Sequence, residues 1–110
     1  MRPIPPKLKA DLAADPWYTR CCITGIPSVK AKIEWHHAFI FAGRQVNEKW
    51  AIVPLTAEVH KKVSNPIIKE KLRWIILNRA GHEALIKYSR SMNLVKEVMR
   101  LNAKYGVWQP

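Results

Sequence analysis

Between Trp17 and Val53 the apolar and β-branched residues fall in short runs, "RCCITGIPSVKAKIEWHHAFI" and "WAIVPL", separated by the polar stretch "FAGRQVNEK" around Gly43. Runs of this length, bounded by Gly and Pro, predict strands, the first folding as a hairpin that turns at "TGIPS". "TAEVHKKV" follows with Thr56 placed as an N-cap and Glu58 in the first turn, which predicts a short helix. The order is strand, loop, strand, helix. Beyond Ser64 the apolar period lengthens to that of a helix face. Ile68, Leu72, Ile75 and Ile76 repeat along "NPIIKEKLRWIILNRAG", with Asn65 as cap, Pro66 in the first turn and Gly81 as the stop. Leu85 and Tyr88 suggest a shorter helix, and Leu94, Val95, Val98, Met99, Leu101, Asn102 and Tyr105 outline a last one ending at Gly106. Ahead of all this stand a proline-rich arm, "MRPIPP", and "PKLKADLAAD", a short helix that must end before Pro16.

The expected fold is therefore α+β: a single domain over 1–110, with an arm and short helix in 1–16, a mixed strand and helix core in 17–64 and a helical extension in 65–110. Charge adds a partner class. The chain carries 19 Lys+Arg against 8 Asp+Glu, a formal net charge of +11, and such an excess attracts polyanions, nucleic acid first. Residues 1–60 hold eight basic and five acidic residues, and residues 61–110 hold eleven and three, so the second half carries most of the attraction. No apolar run approaches the roughly 20 residues that span a bilayer, and charge and proline interrupt the amino terminus where a signal peptide needs an apolar core. Cys21 and Cys22 are adjacent, a poor geometry for bridging each other, and no CxxC pair exists for a four-ligand zinc site. Both read as reduced thiols, small and buried, in a cytoplasmic protein without a membrane role.

Two of the four histidines stand side by side in "IEWHHAFI". On a regular strand Ile33, Trp35 and His37 share one face, and Lys32, Glu34 and His36 the other. Neighbouring histidines so placed suit different tasks rather than chelation of one ion by both. His60, on the short helix, is positioned to close over the strand end. One ligand from the strand, one from the helix and a free imidazole as base would form a hydrolytic constellation. Their bland reading is a pair of strand histidines, one buried and one exposed, beside an exposed helix histidine.

"EWHH", a loop, "WAIVPLTAEVH" and a helix resemble the HNH motif of the ββα-metal nucleases, particularly the Glu-x-His-His start of the bacterial toxin DNases, and are similar to small phage-encoded HNH proteins. The likeness covers about Arg20 to Ser64. It implies a small ββα-metal core with the C-terminal helices added to it, in a DNA endonuclease of a bacterial host's cytoplasm. It implies His36 and His60 as ligands of one divalent ion, His37 as the general base and Glu34 as a carboxylate orienting the site. It further implies cleavage that leaves a 5′ phosphate and a 3′ hydroxyl. Two imidazole ligands leave positions for water and phosphate oxygens, which suits Mg²⁺ or Mn²⁺, while Zn²⁺ and Ni²⁺ also accept imidazole.

The sequence departs from the family's pattern at several places. Ala51 stands where the motif's middle Asn is expected, and Asn47 lies four residues earlier in the same loop, as a turn residue or a structural brace. Ser64 replaces a second helical histidine. Thr56 and Val59 occupy the downstream half of the zinc staple many members carry. Arg44, Lys61 and Lys62 flank the expected site and are candidates for phosphate contact, or else an ordinary solvated surface. Glu34 has an alternative in pairing with Lys32 or an arginine. Trp35 and Trp50 read as core rather than as base-stacking platforms, Trp74, Met92, Met99 and Tyr105 as helix packing, and His82 as a surface residue. Two other functions fit the same pattern: a catalytically inactive DNA-binding accessory protein, suggested by Ala51 and Ser64, and a structure-selective nuclease for branched DNA in phage recombination. Two active sites on one junction would favour a homodimer, and an apolar face left over from the last helix could make one.

Overall fold

The computed structural model describes residues 3–89 and 93–109. In chain order the elements are α1 (Pro6–Ala14), a 3-10 turn (Pro16–Thr19), β1 (Ile33–His37), β2 (Ile40–Phe41), β3 (Arg44–Gln45), a second 3-10 turn (Lys49–Ala51), β4 (Ile52–Thr56), α2 (Ala57–His60), α3 (Pro66–Ala80), α4 (His82–Lys87) and α5 (Leu94–Tyr105). The architecture is α+β, with a small two-sheet β region and five helices among the described residues.

β1 and β4 pair antiparallel, from Ile33 opposite Thr56 to His37 opposite Ile52. Every residue of β4 is buried, and burying side chains such as Ile52, Val53 and Leu55 is worth about 1.5–3 kcal/mol apiece. Pro54 sits in the middle of this strand without breaking the pairing. Its carbonyl accepts from the Cys22 backbone N–H (3.0 Å), so that carbonyl faces away from β1. In a strand the N–H and C=O of one residue point the same way, hence the N–H that proline lacks was never owed to β1. The Cys21–Cys22 segment covers this outer edge in place of the expected hairpin. Around "TGIPS" the chain does turn, at a Gly25 with φ of 76°, but only one isolated bridge, Arg20 to Pro27, forms.

The two faces of the strand pair are covered by different parts of the chain. Val53 and Leu55 pack with Phe39 and with Leu72, Ile76, Leu77, Leu85, Leu94 and Leu101 of the C-terminal helices. Ile52 packs instead with Leu12 and Tyr18, and Trp35 lies against them. Arg79 ties the two sides together: it lies 3.8 Å above the Trp17 ring and donates to the Tyr18 hydroxyl at 2.7 Å. Asn65 caps α3 through Ile67 N–H and Ile68 N–H, and Gly81, at φ of 84°, ends it. Trp50 and Tyr88 cluster with Phe39, and Trp74 with Tyr105, as packing residues. Met99 departs from the packing expected of it. It is 66% exposed on the outer side of α5, because Leu94 and Leu101 already fill the inner side. Met92 lies outside the described residues.

Between β1 and β4 the polar loop holds a hairpin the sequence did not announce. β2 and β3 pair through Phe41 and Arg44, with Ala42 and Gly43 both at positive φ, 52° and 77°, as a type I′ turn requires. Ala at the first of these positions hides the usual Asn-Gly signal. Among the described residues no helix is long and apolar enough to cross a membrane.

Candidate functional site

Because Ile33 lies opposite Thr56 and α2 follows β4 directly, the short helix begins beside the start of β1. Thr56 makes the turn sharp by accepting from Val59 N–H with its side chain. His60, in the last position of α2, is thereby carried over the face that bears Glu34 and His36. The His60 ring lies edge-on to the His36 ring, centroids 5.0 Å apart, and its Nδ1 is 2.9 Å from Glu34 Oε1. Lys32 is not Glu34's partner; the pairing falls to His60.

Hydrogen-bond chemistry fixes which ring atoms remain available. A carboxylate only accepts, so His60 Nδ1–H donates to Glu34, and in the neutral ring Nε2 is the nitrogen with a lone pair. His36 has no such partner; burial first, then the neighbouring His60 and His37 rings, push its pKa down to about 4. It is therefore a neutral imidazole at pH 7. On the other side of the strand end, His37 is buried, only 9% exposed, with Nε2 2.7 Å from Asn47 Oδ1. Asn47 in turn gives its Nδ2 to the Pro3 carbonyl at 2.9 Å. Since that carbonyl can only accept, the amide nitrogen must face it, which turns Oδ1 toward the imidazole and places the His37 proton on Nε2. Nδ1 of His37 is left as the basic nitrogen.

Two features of the His36 and His60 pair are compatible with a divalent ion. Imidazole nitrogens at about 2.1 Å from a shared ion bring their ring centres to about 5 Å apart at common ligand angles, and the 5.0 Å seen here agrees with that as it does with an ordinary edge-on ring contact. A carboxylate on the far nitrogen of a ligating histidine is the usual support for such a ligand, and Glu34 occupies that place. Among the described residues no group of three or more His, Cys, Asp and Glu side chains is arranged around one such point.

Two hollows meet at these imidazoles, and His36 and His37 line both. One, of about 270 Å³, also has Pro3, Lys9, Gln45 and His60 in its wall. The other, of about 340 Å³, adds Ile40, Val63, Ser64, Lys69, Leu72 and Arg73. Arg44, Lys61 and Lys62 border neither. Arg44 lines a separate hollow beside Glu48 and Tyr88, Lys62 lies 3.6 Å from Glu58 on the exposed side of the α2 turn, and Lys61 is exposed next to it. Ser64 lies beyond the end of α2, in the turn before α3, and Ala51 is fully buried with its carbonyl bound to Ala38 N–H. His82 is exposed at the start of α4. Lys9, Lys69 and the Pro3 carbonyl were not legible as neighbours of the imidazoles, since nothing local marks them; only the packing of α1 against the 3-10 turns, that of α3 against β4, and the bond from Asn47 to the arm bring them there. The cysteines are free, and Cys22, driven by burial, has its thiol pushed up to about 12.

No protein-family model matches the chain, and no curated protein or solved structure is significantly similar to it.

Proposed function

We propose that the chain is a metal-dependent DNA endonuclease of the HNH type, with β1, β4 and α2 as its ββα-metal core and the C-terminal helices as an addition to it. One observation carries the reading. Two imidazoles from different elements stand at a spacing compatible with a shared ion, one of them braced by Glu34, beside a third whose Nδ1 is not the nitrogen that Asn47 engages. The net charge of +11 supplies the attraction for a polyanionic substrate.

In this reading His36 and His60 hold one divalent ion, Mg²⁺ or Mn²⁺ by the openness of its ligand set, with Zn²⁺ or Ni²⁺ acceptable to imidazole. When bound, the ion stabilises negative charge on the scissile phosphate and on the departing 3′ oxygen. His37 Nδ1 takes the proton of a water as that oxygen bonds to phosphorus. The bond from phosphorus to the 3′ oxygen then breaks, leaving a 5′ phosphate and a 3′ oxygen that gains a proton from solvent. Asn47 holds the His37 ring so that the same nitrogen faces the substrate in each turnover, and Glu34 does the equivalent for His60.

The test is nicking of supercoiled plasmid with Mg²⁺ or Mn²⁺ by the wild type and by His37→Ala. A positioned base contributes about 10²- to 10⁴-fold, so the variant is expected to lose that much rate; equal nicking by both removes His37 from the mechanism. A second reading, an accessory protein that binds DNA without cutting it, is favoured by Ser64 and the buried Ala51. It predicts salt-sensitive binding with no nicking in any of the four metals.

A further inference from the structure

We propose that Lys9 on α1 and Lys69 on α3 hold the phosphates on either side of the scissile one, so that a DNA strand runs from α1 across the imidazole corner to α3. The proposal rests on the nuclease reading for the identity of the central phosphate, but its own evidence is separate.

The two hollows share His36 and His37 as a common wall, with Lys9 in one and Lys69 in the other. A strand passing over the imidazoles can therefore lie in both hollows. Neither hollow has a carboxylate in its lining. Three other surface hollows each contain at least one, from Glu48, Glu83, Asp11 or Asp15. The lack of carboxylates is what a polyanion track requires, since each acidic side chain along it would repel the backbone.

The cations in these walls differ in how far they are already engaged. Arg73 is held by Glu97 at 2.5 Å and lies 5.2 Å over the Phe39 ring, so its charge is committed to the fold. Lys9 and Lys69 are exposed and enter no ion pair among the described residues. A lysine with an unpaired ammonium loses little by turning to a phosphate and gains a charge-assisted hydrogen bond. On the α3 side Val63, Leu72 and Ile40 give the hollow an apolar floor that suits a sugar or base, and the Ser64 hydroxyl is a further donor. Lys69 is then a positioning residue supplied by the helical extension, which gives that extension a part in substrate binding.

The experiment is equilibrium binding of a fluorescently labelled DNA duplex by the full chain in EDTA, from 50 to 300 mM salt. Lys9→Ala, Lys69→Ala and the double variant are compared with Lys71→Ala, an exposed lysine of the same helix that borders neither hollow. Each phosphate contact contributes about 0.9 to the slope of log affinity against log salt. Each single variant is expected to lower the slope by about 1 and the double by about 2, with Lys71→Ala unchanged. Lys69→Glu, which adds repulsion at the same point, is expected to weaken binding more than Lys69→Ala. Variants of Lys9 and Lys69 that bind as Lys71→Ala does overturn the track, as does a wild type that does not bind DNA in EDTA; a wild type that does not bind DNA with Mg²⁺ present either overturns the nuclease reading as well. Binding that follows the expected slopes without nicking in any metal leaves the track standing and sinks catalysis alone. Nicking by variants whose slopes do not change does the reverse.

Discussion

At the scale of single residues, the site divides into two supported imidazoles, and the supports make different predictions. Glu34 touches only His60 of the three, so its loss should act on ion affinity. Glu34→Gln is expected to weaken Mn²⁺ binding about 10- to 100-fold, read by isothermal titration, with the nicking rate recovering at saturating metal. Asn47 touches His37 and the arm, so Asn47→Ala should leave ion affinity alone and lower the rate at saturating metal by about tenfold or more. A rate loss in Glu34→Gln that no metal concentration restores would show that the carboxylate does not act through His60. Much of this was legible in "EWHH" and His60, because a period of two and a helix entry place the residues relative to one another. The role of Asn47 was legible only as a brace for its loop. Which ring it would meet depended on the path of the nine residues, 38–46, between His37 and Asn47, which no local signal determines.

At the scale of elements, what the sequence read well were segments with strong local signals: α3 between Asn65 and Gly81, α5 up to Gly106, and the all-buried β4. What it misread were segments decided by tertiary context. "TGIPS" has the residues of a hairpin turn, yet Pro27 cannot donate to a ladder, and the Cys22 backbone pairs with β4 instead. The contact of α3 with α5 was likewise out of reach, since it depends on residues more than 20 positions apart. Trp74 and Asn78 both donate to Asn102, Arg73 reaches Glu97, and Glu70 gathers Lys104, Tyr105 and Arg100. The hydrogen bond from Lys104 first, then that from Tyr105, holds Glu70 down to about 2. A carboxylate lowered by folding contributes stability that is fully present above its unfolded pKa, about 4.5, and is lost as pH falls through about 2. Urea unfolding of wild type and Glu70→Gln is therefore expected to show a gap in midpoint at pH 5 that closes toward pH 2. A gap constant over that window would mean the cluster does not link α3 to α5 energetically. The gap should be modest, because the group sits at the surface.

At the scale of the whole molecule, the strand pair acts as a partition. Its C-terminal side is packed by α3, α4 and α5, its other side by α1 and the first 3-10 turn, and the imidazoles emerge where the two groups of elements meet at the end of β1. The excess of basic residues after residue 60 gives the chain its polyanion attraction, but the cations beside the imidazoles are not those nearest in sequence. Arg44, Lys61 and Lys62 are near the site in sequence, whereas Lys9 and Lys69 are near it in space. The central claim is that His36 and His60 share one ion beside a free base, and substoichiometric Mn²⁺ tests it most directly through the imidazole proton signals of the four histidines. Paramagnetic broadening should remove the His36 and His60 signals first, then His37, and leave the exposed His82 sharp. His36 and His60 signals that stay as sharp as those of His82 would contradict the account.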